Sequence, residues 1–143
     1  MARIIDLNRY DQIIRFIRDH GEDAFPQTDE ELKRLLEYFA SIKRLFVITD
    51  KRGRIAAVAC CTNVESPDFL KDGKWPEDNP EGSVVFVHGI VIHKNLRHKD
   101  VMVQMLEEWI RLFPNIRYIL FQRHVKNNNY RMVPVSKILR RQL

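Results

Sequence analysis

The sequence predicts a single α+β domain, an α/β mixed sheet flanked by helices, with the element order β-α-α-β-β-β-α-β. Residues 84–92 form an apolar, β-branched run that suits a central strand covered on both faces. An amphipathic helix follows, and residues 118–121 supply another strand after a short connection. A strand, helix and strand with tight joints form a right-handed crossover, so these two strands are expected to be parallel neighbours that part beyond Ile92.

Length and composition agree with one domain over residues 1–143. A chain of 143 residues with 45% hydrophobic and 30% charged residues can bury a core without metals or disulfides. The sequence contains no stretch of membrane-spanning length and no apolar signal core, which predicts a cytoplasmic protein without a membrane partner. Cys60 and Cys61 are adjacent in a predicted strand, where their side chains point to opposite faces, and are interpreted as buried thiols.

The first half of the chain carries clear start and stop signals. Residues 3–7 are predicted to form a strand, and Asn8 is expected to cap a helix that ends at Gly21. Thr28 and Glu31 have the spacing of a capping box, in which each residue satisfies a backbone N–H group of the other. A second helix is therefore predicted after Thr28.

A hairpin and a long loop follow. Residues 45–49 and 54–62 are strand-like, and the Asp-Lys-Arg-Gly run at 50–53 is suited to the turn between them. Residues 63–83, rich in proline, glycine and charge, are predicted to form a long loop that Trp75 pins to the domain. A lid over a site is the alternative function for this loop.

The helix after the central strand shows apolar residues at helical spacing, interpreted as core packing. These residues are Met102, Met105, Leu106, Trp109 and Phe113. Pro114 is expected to end the helix. Residues 130–133 are predicted to be extended, and residues 134–141 to form a final turn or two of helix.

Charge is concentrated in the C-terminal part of the chain. Residues 1–72 contain 12 Lys/Arg and 13 Asp/Glu, whereas residues 73–143 contain 12 and 6. No acidic residue follows Glu108, and the segment 123–143 is strongly basic. This distribution predicts either an acidic partner (an acidic protein such as an acyl carrier, or nucleic acid) or a solvated basic face with no specific partner.

The element order over residues 3–122 resembles the GNAT acyltransferase superfamily (GCN5-related N-acetyltransferase-like). The resemblance is closest in Ile92-His93-Lys94-Asn95-Leu96-Arg97-His98-Lys99-Asp100-Val101-Met102, which is similar to the family's "V-H-P-E-Y-R"-like strand end and the (Q/R)-x-x-G-x-(G/A) loop after it. It implies a GNAT-like fold that is divergent and C-terminally shortened. In the family this loop binds the pyrophosphate of acetyl-coenzyme A through backbone N–H groups at a helix start.

The resemblance also implies a set of donor-binding residues. They are Ile92, Arg97, His98, Lys99, Val101 and Asn127. Arg97 matches the loop's first position, but Asp100 and Met102 occupy the places of its two glycines. A carboxylate about 4 Å from a phosphate costs on the order of 1 to 4 kcal/mol, which would weaken the binding of acetyl-CoA or another acyl donor. Asp100 has a second interpretation, as a carboxylate that stabilises the start of the helix.

Three residues are candidate catalytic groups. His88 lies on the central strand and is either a base or a hydrogen-bonded core histidine. His124 follows the next strand, near the expected position of the donor thiol, and Tyr130 resembles the family's general-acid tyrosine. The sequence predicts no metal site, because no metal-ligand spacing is present.

The resulting functional hypothesis is acyl transfer from acyl-CoA or another acyl donor to an amine, with catalysis uncertain because the loop glycines are missing. A non-catalytic GNAT-fold structural, assembly or binding protein is the alternative, and phage virion components of this fold would place it in a virion. A nucleic-acid-associated basic module is the second alternative.

Overall fold

The computed structural model of the protein describes residues 9–21, 24–68, 77–96, 101–124 and 129–140. In chain order the elements are α1 (Tyr10–His20), α2 (Asp29–Ser41), β1 (Leu45–Thr49), β2 (Ile55–Val64), β3 (Val84–Ile92), a 3₁₀ turn (Lys94–Leu96), α3 (Val101–Leu112), β4 (Tyr118–His124), β5 (Asn129–Pro134) and α4 (Val135–Arg140).

The strands form one mixed sheet with the order β1-β2-β3-β4-β5. The β1–β2 and β4–β5 pairs are antiparallel, and β3 and β4 are parallel. The predicted α+β class and the parallel pairing of the central strand with the strand after its helix are therefore confirmed. By internal contacts the chain forms two compact units: Met1–Cys60 with Gly89–Met105, and Cys61–His88 with Leu106–Leu143.

In the first unit, α1 and α2 bury their apolar faces in one cluster with β1 and β2. The cluster includes Ile13, Ile17, Leu32, Leu36, Phe39, Val47, Val58, Cys60 and Val91. The capping box is confirmed, since the Thr28 hydroxyl accepts from the Glu31 N–H group and the Glu31 carboxylate accepts from the Thr28 N–H group. α1 ends at Gly21 as predicted, and the Gly21 N–H group donates to Ile17 O.

Glycine is favoured at two positions of the first unit, for different structural reasons. Gly21 has an extended backbone, and a Cβ there would lie 2.9 Å from the side chain of Val91, so close packing requires glycine. Gly53 has φ of +80° in the β1–β2 turn, a conformation that glycine adopts without steric cost. Asp50 completes this turn by accepting the N–H groups of Arg52 and Arg54 at 2.9 Å each.

In the second unit, a smaller apolar cluster joins Val64, Val84, Phe86 and Leu120. The parallel ladder runs from Val84–Tyr118 to Val87–Phe121. The residues of α3 are divided between the two units after Met105, and its predicted apolar face is confirmed, because Met105, Leu106 and Trp109 are completely buried.

Several predicted boundaries shift. β2 runs on to Val64, so Asn63 and Val64 are buried strand residues, and the loop begins at Glu65. β4 extends through His124, which therefore ends the strand and does not follow it. The predicted first strand at 3–7, Asn8 and the loop residue Trp75 lie outside the described residues. The predicted cap at Asn8 is wrong by one position, since Arg9 is the N-cap residue of α1 and makes no side-chain cap hydrogen bond.

Candidate functional site

The parallel ladder of β3 and β4 has its last pair at Val87–Phe121, although β3 continues to Ile92 and β4 to His124. The sequence placed the end of this pairing beyond Ile92, so the ladder ends earlier than expected. His88 is the first residue of β3 after the last pair. Polar and aromatic groups of the second unit gather around it.

His88 is the central polar side chain of this group. Its Nε2 lies 2.9 Å from the Thr62 hydroxyl oxygen, and its ring lies 4.6 Å from that of Phe86 on the same face of β3. Burial lowers the pKa of His88 to about 4, and the nearby Asp78 carboxylate opposes this shift only in part. His88 is therefore uncharged at neutral pH, hydrogen-bonded and only partly exposed.

Asp78 is held in place by β2. Its Oδ1 accepts the Asn63 N–H group at 2.8 Å, and the Asn79 N–H group donates to Asn63 O at 2.9 Å. These bonds attach the chain after the loop to the strand residue that follows Thr62. The Thr62 hydroxyl, the His88 imidazole and the Asp78 carboxylate thus lie in one part of the second unit.

Tyr130 joins this group through Phe86. It lies in β5 opposite Gln122, is 37% exposed, and its ring centroid lies 6.1 Å from that of Phe86. Phe86 therefore contacts both the partly buried imidazole and the exposed phenol. Of the three catalytic candidates, the described contacts connect His88 and Tyr130.

The other candidates have different positions. His124 ends β4 opposite Asn129, Ile92 is the half-buried last residue of β3, and Val101 is the buried first residue of α3. The predicted donor-loop residues outside the described residues are Arg97, His98, Lys99, Asp100 and Asn127.

A second polar cluster, in the first unit, consists of His20 and His93, whose ring centroids are 4.0 Å apart. The Lys94 N–H group donates to His20 Nδ1 and the Asn95 N–H group to His93 Nδ1, both at 3.1 Å. In both rings Nδ1 is therefore used as a hydrogen-bond acceptor. The pair connects the end of α1 to the turn after β3, where the sequence predicts donor binding to begin.

Neither a metal centre nor an activated cysteine is evident in the described part of the chain. No group of three or more potential metal-ligating side chains occurs among the described residues. Burial raises the pKa of the Cys60 thiol, so it stays protonated and is a poor nucleophile. Within the same residues, none of the helices has the length and apolar character needed to cross a membrane.

Thr62 and Asp78 are the functional candidates that the sequence did not single out. Thr62 appears there as one polar residue at the end of an apolar strand, and Asp78 as one of several charges in the loop. Their relevance depends on which β2 residue lies beside His88. That information is not present in any local pattern.

The architecture defines a class. A mixed sheet with a central strand, a crossover helix and a parallel neighbour has the GNAT fold, and comparison with solved structures supports this assignment. The GphF GNAT-like decarboxylase in complex with isobutyryl-CoA is 15% identical, with a TM-score of 0.60, and the match covers 85% of this chain and 64% of that one. The loading GNATL domain of CurA from Lyngbya majuscula is 13% identical, with a TM-score of 0.60 and coverages of 85% and 63%.

Diaminobutyrate acetyltransferase EctA from Paenibacillus lautus, in complex with L-2,4-diaminobutyric acid and coenzyme A, is 17% identical, with a TM-score of 0.55 and coverages of 85% and 63%. The chain thus spans less than two thirds of the length of these three proteins. At such identities the likeness establishes the GNAT fold. No protein-family model and no curated protein sequence matches the chain.

Proposed function

We propose that this protein transfers an acyl group from a phosphopantetheine thioester, as in acyl-CoA, to an amine, with His88 as the proton acceptor. The observation that carries the proposal is the uncharged imidazole of His88, which is hydrogen-bonded to Thr62 just beyond the last β3–β4 pair of a GNAT fold. Two of the similar structures were solved with isobutyryl-CoA and with coenzyme A, which supports a thioester donor.

In the proposed reaction the amine nitrogen attacks the thioester carbonyl. A C–N bond forms, the C–S bond breaks, and the amine proton passes to His88 or, through the Thr62 hydroxyl, to the same ring. The thiolate leaving group then takes up a proton, for which the Tyr130 phenol is the proposed source. A pKa of about 4 makes His88 a weak base but keeps it unprotonated at neutral pH, so its activity as an acceptor should not depend on pH between 6 and 8.

The donor-loop sequence makes tight binding of the CoA nucleotide unfavourable. Asp100 and Met102 stand where the family has glycines, and Asp100 adds a negative charge near the expected pyrophosphate position. We therefore expect the acyl-pantetheine part of the donor to contribute most of the binding. Acetyl-pantetheine, which lacks the pyrophosphate, should be used with a kcat/KM similar to that of acetyl-CoA.

The test measures thiol release from acetyl-CoA and from acetyl-pantetheine with L-2,4-diaminobutyrate, lysine and spermidine as probe amines. His88→Gln should lower kcat by roughly 100-fold or more, the usual scale for losing a general base. Thr62→Ser should retain most activity because it keeps the hydroxyl, whereas Thr62→Val should lose it. Tyr38→Ala, which changes an exposed residue of α2, serves as a control.

Equal rates for wild type and His88→Gln would refute the assignment of His88. Failure of both donors to bind in calorimetry at millimolar concentration would refute acyl transfer, and would favour a non-catalytic GNAT-fold binding or assembly protein.

A further inference from the structure

The β4–β5 hairpin carries an exposed apolar face. Among the described residues, five large hydrophobic side chains are exposed, and three of them lie here: Tyr118 (36%), Tyr130 (37%) and Met132 (42%). The register pairs Leu120 with Met132 and Gln122 with Tyr130, so strand alternation places all three on the face that also carries Leu120. β5 is the last strand of the sheet order, so this face lies at a sheet edge.

Basic residues lie at the same edge of the sheet as this apolar face. Arg117, Arg131 and Lys137 are exposed; by strand alternation Arg117 and Arg131 project from the opposite face of the hairpin, and Lys137 lies in α4, the helix that directly follows β5. No acidic residue follows Glu108, which is paired with Arg111. Glu81, an acidic residue from outside this segment, accepts from the Asn115 amide at 3.0 Å. We call Tyr118, Tyr130, Met132, Arg131 and Lys137 together the β5 edge surface.

The charge of the β5 edge surface and the distance between its two tyrosines discriminate between possible binding partners. A symmetric dimer through the β5 edge surface would bring the same basic residues of two copies together, which is unfavourable. The two tyrosines are about 13 Å apart along the strand direction, since Tyr118 lies four β4 positions from the partner of Tyr130. Bases follow each other at about 3.4 Å per nucleotide, so the pair does not suit stacking on consecutive bases. An acidic protein with an apolar contact patch fits best.

The β5 edge surface is continuous with the candidate site. Tyr130 contacts Phe86, and Phe86 contacts His88, at ring-centroid distances of 6.1 and 4.6 Å. A protein docked on this surface would therefore lie beside the proposed proton acceptor. A carrier-bound phosphopantetheine arm has one phosphodiester and no pyrophosphate. The carboxylate of Asp100, which stands where the family has glycine, would therefore weaken the binding of this arm less than it weakens the binding of CoA.

We propose that the β5 edge surface docks an acidic carrier protein that presents the acyl thioester on a phosphopantetheine arm. This inference rests on the proposed acyl-transfer function and specifies its donor. Met132 and the tyrosines would supply the apolar contact, and Arg131 and Lys137 would pair with carboxylates of the carrier.

The experiment compares two donors: a recombinant acyl carrier protein acetylated on its phosphopantetheine thiol, and free acetyl-pantetheine. Arg131→Glu and Met132→Glu should each raise KM for the acetylated carrier by roughly tenfold, the scale of losing a close interfacial charge or apolar contact. Both variants should leave kcat/KM for acetyl-pantetheine unchanged. Arg52→Glu, the same charge change at the exposed β1–β2 turn, is the matched control and should behave as wild type.

Each outcome has a distinct meaning. The docking proposal would be overturned if Arg52→Glu and Arg131→Glu changed KM for the acetylated carrier equally. It would also be overturned if kcat/KM for the acetylated carrier were no higher than that for acetyl-pantetheine. Either result would leave acyl transfer intact. If neither donor turns over, acyl transfer fails, and interferometry with the unacylated carrier still tests docking. Concentration-dependent dimers abolished by Met132→Glu, or an oligonucleotide bound at this surface, would also overturn it.

Discussion

Protonation of His88 should make the stability of the protein depend on pH in a defined window. The folded protein binds a proton on His88 only near pH 4, because burial lowers its pKa from 6.5 to about 4. An unfolded chain takes up that proton near pH 6.5. Between these values the unfolded state therefore holds more protons, so the free energy of unfolding falls as the pH is lowered from 6.5 to 4 and is unaffected by His88 above pH 7.

The size of the effect follows from the same two values. Their difference corresponds to a ceiling of roughly 3 kcal/mol, with a maximal slope of about 1.4 kcal/mol per pH unit near pH 5. Urea unfolding of wild type and His88→Gln, measured every half pH unit from 4 to 8, isolates this contribution, since titrating groups that do not interact with His88 cancel in the difference. Thr62→Val retains the buried imidazole and should keep the slope.

If the free energies of unfolding of wild type and His88→Gln changed in parallel with pH, the pKa of His88 would be the same in the folded and unfolded states. The burial argument, and with it the uncharged proton acceptor, would then be wrong.

Three further substitutions test the fold. Thr28→Ala should cost about 1 kcal/mol in urea unfolding because it removes the cap of α2, and Thr28→Ser should restore it. Gly89→Ala should cost roughly 1 to 3 kcal/mol because its Cβ would overlap the Phe25 ring, and less in combination with Phe25→Leu; additive costs would contradict that overlap. His20→Phe should cost about 1 kcal/mol and expose the Lys94 amide to hydrogen exchange, since the ring loses its acceptor; unchanged protection would count against the bond.

Local patterns were sufficient for most of the element assignments. The capping box at Thr28, the turn at 50–53 and the strand 84–92 each depend on residues close together in sequence, and each is confirmed. The parallel partner of that strand also followed, because a short crossover leaves little choice of geometry. The predicted ends of β2 and β4 were less accurate, since the end of a strand depends on the neighbouring strand with which it pairs.

The candidate site was predictable only in part. His88 and Tyr130 could be selected from the sequence, but their shared contact with Phe86 could not. The hydrogen bond between Thr62 and His88 joins residues 26 positions apart, and the Lys94–His20 bond joins residues 74 apart. For the first of these bonds, a change of one position in strand register would send the side chain of Thr62 or of His88 to the other face of the sheet.

Sequence alone determined the approximate positions of most helices and strands in the described residues, which of their faces are apolar, and that the C-terminal part is basic, because these properties depend on neighbours along the chain. Tertiary structure decided that His88 meets Thr62 and is kept uncharged, that His20 stacks on His93, and that Tyr118, Tyr130 and Met132 share one exposed face. Pairing register and burial set these features, and both depend on contacts between distant parts of the chain.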